Sequence, residues 1–238
     1  MDAPSTLRGS QRMRGAPFVI MNEYLEILKL GDVDGAARWL DAHPELLTAR
    51  DAQGASLVAI ACYRGQAAIA RLIAERRPLD LWEACMLGDI ARVRQCLEIE
   101  GASVNQAAAD GFPPFALAVF FGQPDVYRYL LQHGADVNQP ALNPMRVTAV
   151  HAAVARHDAD GLALILQHGG DPNARQQGGW TGLHSAAAHG DRRMTEMLLA
   201  AGADRQARTE KGETAADLAR SGGHSELALW LEALGLEA

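Results

Sequence analysis

The feature that most constrains this chain is a sequence motif that recurs about every 33 residues. Its clearest copy runs from Gly179 to Asp191 and continues through Arg192–Ala201 to Gly202-Ala203-Asp204. Thr181 is predicted to be a helix N-cap, because its hydroxyl can accept a hydrogen bond from an unpaired N–H group. Gly190 is predicted to end that helix, because glycine accepts the left-handed backbone conformation that a C-terminal cap needs. The motif therefore predicts two short antiparallel helices and a loop.

The same pattern recurs from one end of the chain to the other. The residue that ends the first helix of each copy is glycine in all but one case: Gly31, Gly65, Gly88, Gly122, His157, Gly190 and Gly223. Their spacing is 33 to 35 residues, except for 23 between Gly65 and Gly88. The helix entry recurs as Thr148-Ala149-Val150-His151 and as Thr214-Ala215-Ala216-Asp217. Such a period predicts a solenoid of stacked helix pairs, in which each repeat contacts only its neighbours.

With this period and the Thr-Gly-Leu-His-Ser-Ala-Ala motif at 181–187, the sequence resembles the ankyrin-repeat family over roughly Met21 to Leu234. The resemblance implies an all-α solenoid with short β-turn fingers and about seven repeats. We place these repeats at about 21–50, 51–77, 78–105, 106–138, 139–173, 174–206 and 207–234. The third repeat is predicted to be truncated, because it lacks the residues that form a finger. This gap is interpreted either as a local bend or as a boundary between two sub-arrays.

Residues 21–238 are predicted to form a single ankyrin-repeat domain whose first helix covers Asn22–Leu30. Residues 1–20 do not repeat, and they carry more basic than acidic side chains. They are expected to be a disordered or poorly ordered basic tail, on grounds of composition and position. The alternative is that translation starts upstream of a native start at Met13 or Met21.

Composition excludes several classes of function. The formal net charge of −7 argues against general nucleic-acid binding, which needs a basic face. No run of 18 apolar residues is present, so no membrane helix is expected. Cys62, Cys85 and Cys96 form no disulfide or metal framework and are interpreted as small buried side chains, which suits the reducing cytoplasm. The alanine-rich, lysine-poor composition suggests a bacterial source.

The histidines are interpreted as structural. His151 and His184 occupy the same place in successive repeats, and in the family this histidine makes hydrogen bonds that bridge neighbouring repeats. His133 and His168 each precede a helix-ending glycine, where a histidine can bond the last carbonyls. Phosphate-loop, serine-hydrolase and zinc-protease motifs do not occur in the sequence. We therefore expect no catalytic, cofactor-binding or metal-binding residues, no cofactor, and no enzymatic activity.

Binding residues are predicted from their place in the repeat. The resemblance implies that partners meet the finger tips and the exposed side of the first helices. Those positions give the candidate partner-binding set Tyr63, Arg64, Met86, Leu87, Phe112, Phe120, Phe121, Val147, Arg156, Trp180 and His189. Exposed apolar patches rimmed by charge mark interaction sites, and aromatic anchors dominate their energetics. We therefore predict a concave groove, centred on repeats three to six, that binds an apolar segment of a partner protein.

The alternative interpretation of the same residues is that they fill the core. Phe120 or Phe121 would then fold into the gap left by the missing finger, and Met86 and Leu87 would be covered in the same way. His189, if it meets a carboxylate in the groove, is expected to tune binding below about pH 6.5.

The sequence thus predicts a monomeric, cytoplasmic, non-catalytic scaffold for protein–protein interaction. Its partner is another protein, and neither nucleic acid nor a membrane. The alternatives are a regulator or chaperone-like partner of an enzyme, a secreted host-directed effector, and a structural role through self-association.

Overall fold

The computed structural model describes the backbone of residues 16–234 and the side chains of residues 22–234. Most of the predicted tail, residues 1–15, therefore lies outside the described residues. Helix α1 covers Ala16–Leu30 and so begins before the predicted Asn22. The residues added to it are mainly apolar, and Pro17 lies in the first turn, where its missing N–H costs no helical hydrogen bond.

The chain divides between Pro78 and Leu79 into two compact units, which is the place where the sequence lacks a finger. The first unit contains α1, α2 (Val33–Ala42), α3 (Leu57–Tyr63) and α4 (Ala67–Ala74), with a 3-10 turn at Pro44–Leu46. Helix α2 packs on α1 and α4, and α3 pairs with α4. The buried Tyr24 ring stacks on Trp39 with ring centres 5.0 Å apart, and its hydroxyl donates to the Leu57 carbonyl at 2.9 Å.

The second unit consists of five helix pairs. They are α5 (Leu81–Leu87) and α6 (Ile90–Arg94), α7 (Pro114–Phe120) and α8 (Pro124–Gln132), α9 (Ala149–Ala155) and α10 (Ala159–Gln167), α11 (Gly182–Ala188) and α12 (Arg192–Ala200), and α13 (Ala215–Ser221) and α14 (Ser225–Ala233). Helix α6 continues as a π-helical turn, Gln95–Ile99, and a 3-10 turn covers Gln177–Gly179. Within residues 16–234, β-pairing is limited to an isolated bridge between Arg50 and Ser56.

The first helices of these pairs, α5, α7, α9, α11 and α13, pack against one another in chain order. Small side chains permit this close approach. Ala118, Ala153 and Ala187 are completely buried, and a Cβ atom added to Gly182 would lie only 2.9 Å from Cγ1 of Val150 on the neighbouring helix. The alanine-rich motif therefore sets the helix-to-helix distance.

The fingers of the second unit lie side by side because the helices beneath them are close. Each finger donates one backbone N–H to a carbonyl of the finger before it: Leu142 N to Gly111 O at 2.7 Å, Gln177 N to Met145 O at 2.9 Å, and Glu210 N to Gly178 O at 2.8 Å. The fingers therefore form a continuous row over repeats four to seven.

A second set of hydrogen bonds joins the loops that follow the second helices. One asparagine in each of three repeats forms two such bonds. Its Nδ2 donates to the carbonyl of the glycine that follows the second helix of the next repeat. Its Oδ1 accepts from the backbone N–H two residues after that glycine. The three asparagines with their glycine and N–H partners are Asn105 with Gly134 and Asp136, Asn138 with Gly169 and Asp171, and Asn173 with Gly202 and Asp204, at 2.7 to 3.1 Å. Gln206 takes this position in the next repeat.

The ends of the first helices are covered by the repeat that follows. A Cβ atom added to Gly88 would collide with Gln123 Oε1, and one added to Gly122 would lie 2.9 Å from Arg156 Nη2. His157 is the exception among the helix-ending residues, with a positive φ of 54°. Its Nδ1 lies 3.3 Å from Asp191 Oδ2 of the next repeat. The His157 side chain therefore links two repeats at a position where the other repeats have a glycine and no side chain.

Replacing Asn138 with alanine tests the asparagine contacts. Loss of its two hydrogen bonds is expected to lower the free energy of unfolding by about 1–2 kcal/mol. Urea denaturation followed by circular dichroism measures this loss. Gln132→Ala, at an exposed position at the end of α8, is the control and should change stability by less than about 0.5 kcal/mol. Equal effects of the two substitutions would show that the asparagine contacts contribute nothing.

Two substitutions at His157 separate backbone strain from side-chain contact. His157→Ala removes the bond to Asp191 and keeps a non-glycine residue at positive φ, whereas His157→Gly also removes the strain. The glycine variant is therefore expected to be more stable than the alanine variant, by about 1 kcal/mol. Thermal denaturation of both proteins measures the difference. An alanine variant as stable as the glycine variant would mean that the backbone at this residue is unstrained.

Candidate partner-binding groove

An open groove of about 500 Å³ lies in the second unit, against α7, α9, α11 and the fingers of repeats five and six. We call it the aromatic groove, and its lining residues are Phe120, Met145, Val147, His151, Ala152, Ala155, Gln176, Gln177, Trp180, Ser185, Ala188 and His189. Apolar side chains dominate this lining, which contains no aspartate, glutamate, lysine or arginine. The groove is therefore an apolar surface within an acidic chain.

Phe120 lies at the C-terminal end of α7 and remains 40% exposed. Its ring meets the half-buried Phe121 ring edge to face, with centres 5.2 Å apart. Phe120 therefore lies in the groove and does not fold into the space of the missing finger. For Phe121, which does not line the groove, the core-filling interpretation stays a prediction.

The lengthened finger of repeat five supplies Met145 and Val147. Asn143 anchors it, because its Nδ2 donates to the Asp110 carbonyl at 2.9 Å and its Oδ1 accepts from Met145 N at 3.1 Å. The finger closes through Ala141 N to Val147 O at 2.8 Å. Both neighbouring fingers thus hold the extension in place, and Met145 keeps half of its surface exposed.

Trp180 follows two glycines at the tip of the next finger. Gly178 and Gly179 both have positive φ, 76° and 73°, which a larger residue adopts only with strain. A Cβ atom added to Gly178 would also lie 3.3 Å from Cδ1 of the indole. The two glycines therefore let the Trp180 ring lie beside the finger. The ring is half-buried there and lines the groove.

His151 fixes the backbone of Trp180. Its Nδ1 accepts from Thr148 N at 3.2 Å, so Nε2 carries the proton and donates to the Trp180 carbonyl at 3.3 Å. His184 repeats the arrangement one repeat later, accepting from Thr181 N at 3.1 Å and donating to Ala207 O at 3.0 Å. The predicted bridging role of both histidines is confirmed.

Burial lowers the pKa of both His151 and His184, because the low-dielectric surroundings disfavour the imidazolium ion. Protonation would also place a hydrogen on Nδ1, which now accepts the hydrogen bond of the N-cap amide. Both imidazoles are therefore held neutral as structural links.

The groove unites four of the predicted binding residues, Phe120, Val147, Trp180 and His189. The exposed His189 ring lies with its centre 5.2 Å from that of His157. The other second-unit candidates that are at least partly exposed lie outside the lining: Leu87, Phe112, Phe121 and Arg156. Tyr63 and Arg64 are exposed in the first unit, and their role in binding stays a prediction.

Met86 was predicted to be a surface residue, and this is wrong, because its side chain is only 3% exposed. Helix α7 packs directly against α5, and Gln123 of the next repeat reaches back to donate to the Met86 carbonyl at 2.9 Å. The third repeat lacks a finger, but the fourth repeat nevertheless covers this helix.

Sequence reasoning missed Met145, Gln176 and Gln177. The lengthening of the finger at 143–146 was visible in the sequence, but its effect depends on how far the extra residues project beside the next finger. The backbone bond from Gln177 N to Met145 O, at 2.9 Å, shows that the two tips meet.

Other sequence predictions concern the core and the helix ends. Cys62, Cys85 and Cys96 are buried and unbridged, as predicted. His133 and His168 bond through Nδ1 to Tyr129 O and Leu164 O at 2.9 and 2.8 Å, near the ends of their helices. Among residues 16–234, no three His, Cys, Asp or Glu side chains are grouped so that they could hold a metal ion. No helix described in this range has the length and apolar content that a membrane crossing requires.

The double substitution His151→Gln/His184→Gln tests the neutral state of these links. Because the folded-state pKa values lie below the usual 6.5, the unfolded chain binds protons first as pH falls, and stability is lost from about pH 7 downwards. Glutamine keeps an acceptor for the N-cap amide and does not titrate. The drop in unfolding free energy between pH 7.5 and 5.5 should therefore be smaller in the variant, by at most about 1.4 kcal/mol for each histidine.

Urea denaturation at both pH values measures this drop, and the comparison at pH 7.5 gives the cost of the substitutions themselves. Identical pH dependence of wild type and variant would contradict the assignment.

Comparison with known proteins identifies the repeats. Residues 81–176 match the family described as ankyrin repeats in three copies, and residues 165–219 match the one described as ankyrin repeats in many copies. The two matches overlap and together span more than half of the chain. They extend from residue 81, in the truncated third repeat, to residue 219, in the seventh.

Two similar proteins are much longer than this chain. The E3 ubiquitin-protein ligase KEG of Arabidopsis thaliana is 34% identical over 137 residues, which cover 52% of this chain and 8% of that protein. The human BCL-6 corepressor-like protein 1 is 35% identical over 101 residues, or 42% of this chain and 6% of that protein. A plant and a human relative give no support to the predicted bacterial source. The family matches, together with the stacked helix pairs and their row of fingers, show that the chain belongs to the ankyrin-repeat family.

Proposed function

We propose that this chain is a non-catalytic scaffold for protein–protein interaction, and that its second unit binds an apolar segment of a partner protein in the aromatic groove. The observation that supports this proposal is the partial exposure of Phe120, Met145, Val147 and Trp180 around one hollow that contains no carboxylate, lysine or arginine. Apolar side chains that remain exposed in a concave site gain free energy when a partner covers them.

The size and composition of the groove suit a few side chains of a short segment. Its volume of about 500 Å³ falls in the range of pockets that enclose compact ligands. Phe120 and Trp180 are rigid aromatic residues, the type that supplies most of the binding free energy at interfaces. The floor of alanines between them leaves room for an incoming side chain.

Ankyrin-repeat domains are typically non-catalytic. The ligase and the corepressor are similar to this chain over only 8% and 6% of their lengths, so the likeness concerns a small part of each protein. This distribution favours a binding module over an activity shared with either relative. Action as a monomer in the cytoplasm belongs to the same proposal.

The double substitution Phe120→Asp/Trp180→Asp tests the proposal. Two carboxylates at the mouth of the groove should abolish partner capture from a lysate of the source cells, because an apolar segment would have to desolvate them. The melting temperature should change little, since both side chains are partly exposed. Affinity capture followed by mass spectrometry compares the variant with wild type.

Leu229→Asp is the matched control, because Leu229 is an exposed apolar residue on α14 outside the groove lining. A partner retained by wild type and by this control but lost by the groove variant supports the proposal. A groove variant that retains its partners, or that unfolds, would contradict it.

A further inference from the structure

Two arginines bracket the aromatic groove of this otherwise acidic chain. Arg146 is exposed and lies between two lining residues, Met145 and Val147, on the lengthened finger. The positive φ of 52° at Arg146 is part of the turn that closes this finger. One cation therefore stands at the finger end of the groove.

The second arginine stands at the opposite end, where the first helices terminate. Arg156 follows the lining residue Ala155, and its guanidinium extends over the end of α7, since a Cβ atom added to Gly122 would lie 2.9 Å from its Nη2. Gly122 comes two residues after Phe120. The guanidinium thus lies next to the aromatic end of the groove.

Neither arginine side chain has a partner among the residues that the structure describes. The guanidinium groups of Arg146 and Arg156 form no ion pair and no hydrogen bond within this part of the chain, although both backbone N–H groups are bonded. Some arginines of the second unit are ion-paired, such as Arg92 with Glu100 at 2.6 Å and Arg192 with Glu196 at 2.8 Å.

The carboxylates that follow Arg156 along the chain and in the next repeat are already engaged. Asp158 accepts from Gly161 N at 2.8 Å, and Asp191 accepts from Met194 N at 3.0 Å and meets His157. The two guanidinium groups are therefore available to an incoming ligand.

We propose that the segment bound in the aromatic groove is acidic as well as apolar: an aromatic or aliphatic side chain is seated between Phe120 and Trp180, and flanking carboxylates pair with Arg146 and Arg156. This inference rests on the proposed function and names the chemistry of its partner. Arginine is suited to this role because its planar guanidinium binds a carboxylate through two parallel hydrogen bonds.

Charge also explains how such a segment would find this site. The net charge of −7 repels an acidic peptide from most of the surface, whereas the groove offers two unpaired cations and no carboxylate in its lining. This arrangement directs the segment to the groove and disfavours binding elsewhere. A second copy of this acidic chain is a poorer match by the same argument.

Selection from a phage-displayed library of random peptides tests the inference on the full-length chain. Peptides enriched on the wild-type protein are expected to combine aromatic or aliphatic residues with an excess of aspartate and glutamate. Their affinity, measured by fluorescence anisotropy with synthetic peptides, should fall for Arg146→Gln and for Arg156→Gln by up to about fivefold each. It should also fall with increasing salt concentration.

The double variant Arg71→Gln/Arg128→Gln is the control, because it changes the net charge by two, which is twice the change of either groove variant, at exposed residues outside the groove lining. It should leave the affinity unchanged. Enriched peptides without an acidic excess, or an affinity that the control lowers as much as the groove variants do, would overturn the inference.

The Phe120→Asp/Trp180→Asp variant separates this inference from the proposed function. If neutral or basic peptides are enriched on the wild-type protein and that variant fails to bind them, the groove is supported as the binding site and the acidic character of the partner is contradicted. Peptide binding unchanged in that variant removes the groove itself. A mass of the free protein that grows with concentration, and that this variant returns to the monomer value, makes a second copy the occupant and overturns the inference.

Discussion

Within the second unit, the close stacking of each first helix on the next is the constraint on which the rest of the unit depends. Alanine and glycine at the contacts bring the helices so near that a single added carbon at Gly182 would meet Val150 at 2.9 Å. Because the helices are this close, the fingers above them come within backbone hydrogen-bonding distance. Other alanines of the same helices line the groove, at Ala152, Ala155 and Ala188. The groove that we assign to a partner therefore lies on the helices whose small side chains hold the repeats together.

The residue after each helix-ending position takes one of two roles. Where it is aspartate, as at Asp158 and Asp191, its carboxylate caps the second helix of its own repeat. Where it is Gln123 or His224, no side-chain cap forms, and the side chain lies against the glycine of the preceding repeat. Local helix stability and contact between repeats therefore depend on the same position. Both aspartates serve the two purposes through their two oxygens, because Asp158 Oδ2 accepts from Tyr127 OH at 3.4 Å and Asp191 Oδ2 lies 3.3 Å from His157 Nδ1.

Features set by short-range chemistry could be predicted from the sequence. The N-cap at Thr181 follows from the residue and its immediate neighbours. The positive φ at His157 follows from its alignment with the helix-ending glycines of the other repeats. Met86 and Met145 could not be placed in this way, because the exposure of each depends on how the following repeat lies against it. In the candidate site, Phe120 and Trp180 could be identified from their positions in the repeat. The contact between the finger tips of repeats five and six is evident only from the structure.

The contacts of the helix-ending glycines have a consequence for how such an array can change. Gly88 and Gln123, or Gly122 and Arg156, occupy one volume between them, although each pair is separated by a full repeat. A side chain gained at the first position would force the end of the second side chain to move, and the positive φ at the first position would strain the new residue as well. The residues that depend on each other in this array are therefore pairs whose two members lie in neighbouring repeats. Duplication or exchange of a whole repeat would leave one unmatched partner at each new junction, even though every repeat has the same fold.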